Sequence, residues 1–256
     1  MLAPLSANAE CSKTFDLGML AFPPYIDFDA SGTAHGLDVD ILRGAMDLAG
    51  CTFTLHEVPF KRALRDVKLG DLDGMPSVSK TPEREEATYF TTAMRREVVG
   101  GFIRNTDKKA SEIPSLDALI ASDLKVGVVL GGWYGAEFAN AMETNPAFHA
   151  RIEASSDFVT LFRWLEAGIV DVAVVDLLSG YHVSKDAGLQ THIAPLAFRI
   201  NVNTLHLMLS RATTTNADLE AIDDALARYR KTDAYRALIL SYGPENLTRE
   251  LAAGQD

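Results

Sequence analysis

Residues 51–85 read CTFTLHEVPFKRALRDVKLGDLDGMPSVSKTPERE, and this stretch decides the fold. Thr52 to Val58 alternates like a half-buried strand. Phe60 to Leu69 returns to helical spacing and stops at Gly70. DLDGMPSV, 71–78, carries another short strand. Thr81 and Pro82 then open a further helix, because threonine caps well and proline's missing N–H costs nothing at the first helical position. Strands and helices in strict alternation imply right-handed crossovers and a parallel sheet.

The flanking sequence repeats the pattern. Thr14 to Ala21 is a short apolar run ended by Phe22-Pro23-Pro24, since proline cannot continue a central strand. DFDASGTAHG, 27–36, reads as a turn-rich loop, with Asp38 as a capping residue facing solvent. Val39, Leu42, Ala45, Met46 and Ala49 then recur at helical spacing up to Gly50. Further on, VVGGFIRN (98–105) is a strand with no immediate helix. Ile113 to Ile120 is a short helix, and DLKVGVVLGG (123–132) a buried strand. GAEFANAMETN (135–145) and Ser156 to Ala167 are helices, and IVDVAVVD (169–176) is a second buried strand.

FRINVNTLHLMLSR (198–211) is one long extended run. Asn216 is expected to cap a helix carrying Leu219, Ile222 and Leu226, a last helix spans Asp233 to Tyr242, and the polar end is expected to be disordered. Extended segments near 92–97 and 197–202 bracket the middle of the chain. They suggest one domain inserted in another: 10–96 plus 201–256 as lobe 1, 97–200 as lobe 2, joined by a two-strand hinge. In open α/β sheets, ligands bind in a cleft at the carboxyl ends of the strands.

A formal net charge of −11 and the lack of a basic run argue against nucleic acid. No apolar run reaches the ~18 residues of a membrane span. The start, MLAPLSANA (1–9), ends in the small-x-small pattern of a signal-peptidase site, and is read either as the remnant of a secretory signal cleaved near Ala9 or as an ordinary terminus. Each of the two cysteines, Cys11 and Cys51, opens a strand-like run. If those strands are parallel neighbours a disulfide is possible, which would suit an oxidising compartment; the alternative is two buried thiols. The six histidines show no ligand-like spacing, and no metal or cofactor is expected.

Arg84 falls in the first turn of the helix opened by Thr81, so its side chain leans back toward the end of the preceding strand. A guanidinium matches a carboxylate through two parallel bonds, and the hydroxyls of Ser77 and Ser79 lie beside it, so the segment can build a small-anion socket. The competing use of Arg84 is a solvated pair with Glu85 or Glu86. Asp176 ends a buried strand, where a carboxylate is costly unless paired; it could equally cap the following helix.

Five short motifs, in order, resemble the bacterial periplasmic solute-binding proteins for polar amino acids, family 3, the receptor components of ABC importers. They are FPPY (22–25), GLDVDIL (36–42), GDLDGMPSVSKTPERE (70–85), DLKVGVVLGG and AGIVDVAVVD (167–176). The similarity spans about Glu10 to Gly243. It implies an α/β, two-lobed periplasmic-binding-protein fold, each lobe a parallel-dominated sheet flanked by helices. It also implies a monomeric, periplasmic, non-catalytic receptor that captures an α-amino acid or similar small carboxylate and partners ABC permease subunits. By resemblance, Arg84 pairs with the ligand carboxylate, and Ser77 and Ser79 bond the ligand. Phe22 and Phe60 flank its side chain, although both could be core residues. Gly132 and Trp133 lie where a backbone amide at a helix start meets the carboxylate, and Asp176 receives the ammonium. Lys61, Arg62, Lys80 and Met75-Pro76 depart from the family pattern; the basic residues hint at an acidic ligand or simply face water. A cyclohexadienyl-type dehydratase on the same scaffold, or the sensing module of a signalling receptor, are the alternative functions.

Overall fold

The computed structural model describes residues 11–252. The chain divides into two compact units: residues up to Arg96 together with those from Thr204 onward, and Glu97–Asn203.

The first unit begins with β1 (Thr14–Met19), a small hairpin of β2 (Asp27–Phe28) and β3 (Ala34–His35), and α1 (Leu37–Ala49). The hairpin lies inside the stretch read as loop. β4 (Thr52–Glu57), α2 (Phe60–Leu69), β5 (Gly74–Ser79) and the single turn α3 (Pro82–Glu85) follow. The 3.6-residue period of α1 buries Ile41, Leu42, Ala45, Met46 and Ala49, and Gly50 ends it in the left-handed conformation. β1 pairs in parallel with β4 from Thr14–Thr52 to Met19–Glu57, and also in parallel with β5. This register sets Cys11 beside Cys51, and the two form a disulfide with Cα atoms 5.0 Å apart. β4 is the sheet edge, and only Leu55 along it is buried.

β6 (Thr88–Arg104) carries the chain across the boundary into the second unit. There follow α4 (Lys108–Ser111), α5 (Leu116–Ala121), β7 (Val126–Val129), α6 (Ala136–Thr144) and α7 (Pro146–His149). β8 (Ile152–Ser155), α8 (Phe158–Ala167), β9 (Val172–Asp176) and α9 (Leu177–Asp186) complete it. Its strand order is β6-β9-β7-β8; β7 runs parallel to β8 and β9, while β6 is antiparallel to β9. Val126, Val128, Val172 and Val174 meet Leu119, Phe138 and Phe148 in its core. Burial on this scale is the main favourable term, at roughly 25 cal/mol per Å² of apolar surface. α9 is the helix that the capping use of Asp176 implies, although Ser179 and Gly180 interrupt its apolar pattern.

β10 (Ile193–Ser210) returns the chain to the first unit, where it pairs antiparallel with β5 and completes the order β4-β1-β5-β10. Pro76 lies inside β5, a strand with a neighbour on each side, and cannot donate to the ladder. The sheet accommodates it with a register shift in β10 between His206 and Met208, and Ser77 takes a positive φ of 62°. α10 (Asn216–Tyr229), α11 (Asp233–Ser241) and α12 (Glu245–Ala252) close the chain. The cap of α10 is Thr215, in a reciprocal capping box with Asp218, rather than Asn216. α12 corrects the expectation of a disordered end: Leu247 and Leu251, four residues apart, share one buried stripe.

Candidate functional site

Thr81 occupies the N-cap of α3 and Pro82 its first position, though the Thr81 side chain makes no capping bond. Arg84 therefore sits one turn beyond β5. Its Nη1 donates to the Ser79 carbonyl at 2.7 Å, and its guanidinium lies 5.6 Å from the centre of the Phe60 ring. Three residues named from sequence, Arg84, Ser79 and Phe60, are thus brought together. The alternative use of Arg84 is not taken up. Glu85 pairs with Lys80 at 2.7 Å and Glu83 with Lys68 at 3.3 Å. Among the described residues no carboxylate pairs with Arg84. Burial pushes its guanidinium below its ordinary value, with Glu83 pulling the other way. Lys61 and Arg62 are exposed, and Arg62 reaches Asp66 at 3.3 Å.

Ser77 is buried and donates its hydroxyl to Asp38 Oδ2 at 2.5 Å. The Asp38 expectation is corrected here. The N-cap of α1 is Gly36, and Asp38 sits inside the helix, 1% exposed, bound to Arg95. Arg95 Nε meets Asp38 Oδ1 at 2.5 Å and Nη2 meets Oδ2 at 2.9 Å. No local pattern announces a pair 57 residues apart; the only signal is that Asp38 falls on the apolar stripe of its helix. Phe22 is half-buried, in a backbone bridge to Ile26 and with its ring 5.2 Å from that of Tyr25.

In the second unit, Asp176 ends β9 and is buried; its Oδ1 accepts the Ser179 amide at 2.9 Å, so it caps α9. Gly132 and Trp133 lie in the loop between β7 and α6, at the same end of the parallel sheet as Asp176. α6 begins at Ala136 with Gly135 as its N-cap, in line with the helix read over 135–145, so Gly132 lies three residues before the cap. The Gly132 amide donates to Val129 O at 3.1 Å and is engaged in a turn rather than presented to an anion. The turn is tight because Tyr134 folds back on it, its hydroxyl bonding Val129 N and O at 2.8 and 2.9 Å. A Cβ at Gly132 would come within 2.3 Å of that hydroxyl. Trp133 is 42% exposed.

The family model described as bacterial extracellular solute-binding proteins, family 3, matches residues 17–245. The chain belongs to this family. Among solved structures, this solute-binding protein is similar to a histidine kinase sensor domain with similarity to periplasmic binding proteins (TM-score 0.74, 21% identity, covering 93% of this chain and 98% of that one). It is also similar to an ancestral arginine-binding protein bound to arginine (TM-score 0.72, 19% identity, 90% and 97%). A third is an ancestral amino acid-binding protein, a precursor of cyclohexadienyl dehydratase (TM-score 0.69, 18% identity, 90% and 94%). At these identities the likeness establishes the fold, the α/β periplasmic-binding-protein class with two lobes. No curated protein matches this solute-binding protein. Among the described residues no helix is long and apolar enough to cross a membrane.

Proposed function

We propose that this protein is an extracytoplasmic receptor that captures an α-amino acid, or a similar small carboxylate, and delivers it to the permease of an ABC importer. The observation that carries this reading is the state of Arg84: half-buried, held by a backbone carbonyl and an aromatic face, with both nearest glutamates taken by lysines. A partly desolvated guanidinium gains most from a planar anion that offers two oxygens. Ser79 and Ser77 supply further polar groups, and Phe60 and Phe22 flank the ligand's side chain. Asp176, at the same end of the parallel sheet as the Trp133 loop, is the proposed acceptor of the ammonium. The role first given to the Gly132 amide is not part of the proposal, since that group is already bonded.

The family's extracellular description and the disulfide joining the only two cysteines both favour a location outside the cytoplasm. The signal-peptide reading of residues 1–9 lies outside the described residues.

Isothermal titration against the twenty L-amino acids, after unfolding and refolding to strip carried-over ligand, is the direct test. Binding of at least one is expected; binding of none overturns the amino-acid version. Arg84→Ala should weaken that binding at least tenfold, since a charged hydrogen bond contributes about 1.5–3 kcal/mol. Turnover of prephenate or arogenate by the purified protein would replace the receptor reading with a catalytic one.

A further inference from the structure

Two candidate site segments far apart in sequence meet at one buried ion pair. α1 presents its first amides to the FPPY loop: Leu37 N donates to Pro24 O at 3.0 Å and Asp38 N to Tyr25 O at 2.9 Å. The approach is close enough that a Cβ at Gly36, whose φ is 121°, would fall 2.5 Å from Tyr25 O. The Arg95 guanidinium then lies over the buried Tyr25 ring, 3.4 Å from its centre, and Tyr25 packs on Phe22. On its other side the pair reaches β5, through the hydroxyl that Ser77 donates to Asp38. That bond falls where Pro76 interrupts the ladder and Ser77 holds a backbone conformation that costs a non-glycine residue energy.

We propose that Asp38 and Arg95 are positioning residues for the ligand site: their buried pair fixes the FPPY loop and the Ser77–Arg84 segment relative to each other. The inference rests on the proposed site, because only then does the geometry of those two segments set affinity. The Asp38 carboxylate serves three donors at once, so moving it moves both segments. Neither side chain is expected to touch the ligand.

The test separates positioning from bulk stability. Removing one partner, as in Asp38→Asn, strands a buried charge and should lower the denaturant midpoint. Replacing both with apolar residues, Asp38→Leu with Arg95→Met, should restore the midpoint, because a buried pair is commonly exchangeable for apolar packing. It should not restore order. Amide hydrogen exchange at residues 22–26 and 77–84 is expected to rise about tenfold or more over the unchanged protein, with α10 and the second unit unaltered. In titration with the twenty L-amino acids, binding should weaken at least about tenfold. If exchange and binding recover together with the midpoint, the pair is structural only and the proposal fails. If the double variant does not fold, Ser77→Ala decides, since it keeps the pair and removes one tether: exchange should rise at 77–84 alone, and no rise overturns the proposal. Arg84→Ala serves as the separate control. Unchanged binding there removes the site reading, while the exchange results still judge the pair.

Discussion

His206 is buried with both ring nitrogens hydrogen-bonded, in surroundings that favour the neutral imidazole. Its Nδ1 donates to Thr91 O at 2.8 Å, which leaves Nε2 to accept from the Thr204 hydroxyl at 2.9 Å. Burial holds its pKa below the ordinary 6.5, and Lys80 and Arg230 add to that while the Thr91 carbonyl opposes it. The unfolded chain therefore takes up a proton near pH 6.5 that the folded chain refuses until a lower pH. Stability from this residue is full above pH 6.5 and is lost as the pH falls toward the folded value. Urea unfolding across that range should show this loss, and His206→Gln should lack it. A slope equal in both proteins would remove the argument. Single residues divide sharply in how far the sequence reveals them. The contact of Arg84 with Ser79 was legible because both lie within one short strand-to-helix segment. The Asp38–Arg95 pair was not, because it is made by a helix and a strand that only the folded sheet brings together. That the Gly132 amide is already bonded was not legible either, because the turn that engages it with Val129 O is made together with the Tyr134 hydroxyl folding back on the same residue.

Among the elements, α10 offers the cleanest energetic test. Thr215 Oγ1 accepts the Asp218 amide at 3.1 Å, and the Asp218 carboxylate reaches back to Thr215 and on to Ser12. Thr215→Ala should cost about 1 kcal/mol of unfolding free energy, read from chemical denaturation. Asp218→Ala should cost more, because it also releases Ser12, two residues before β1. Hydrogen bonds to Thr215 and Ser12 hold the Asp218 carboxyl below its usual range against burial, so the contribution is kept at neutral pH and lost in acid. Most elements were visible as apolar periodicity: β1, α1, β4, α2 and α8 begin and end within two or three residues of where spacing and glycine placed them. α12 was invisible for a physical reason. Only two apolar anchors, Leu247 and Leu251, hold it, and two residues in a polar segment make no pattern until a surface exists to receive them.

At the scale of the whole molecule, the disulfide closes a 40-residue separation that contains α1. Replacing both cysteines with serine should lower stability by about 2–4 kcal/mol, measured by equilibrium unfolding under matched conditions. An amino acid bound by the native state should act in the opposite sense: at a hundredfold excess over its Kd it adds about 2.7 kcal/mol, seen as a rise in Tm. The alternation of strand and helix that specifies the α/β class is written throughout the chain; β6 stands out because no helix follows it at once, and β10 because its extended run is unusually long.

Ser12 hydrogen-bonds Asp218, 206 residues later, and the Tyr242 hydroxyl reaches Asp40, 202 residues earlier. The first unit is therefore made in two instalments, one on either side of residues 97–203, which are synthesised as one uninterrupted piece. A nascent chain long enough to carry residues 97–203 clear of the ribosome, while α10, α11 and α12 are still sequestered or unmade, holds everything the middle piece needs, so protease resistance should arise first in the middle piece and only later in the segment translated before it.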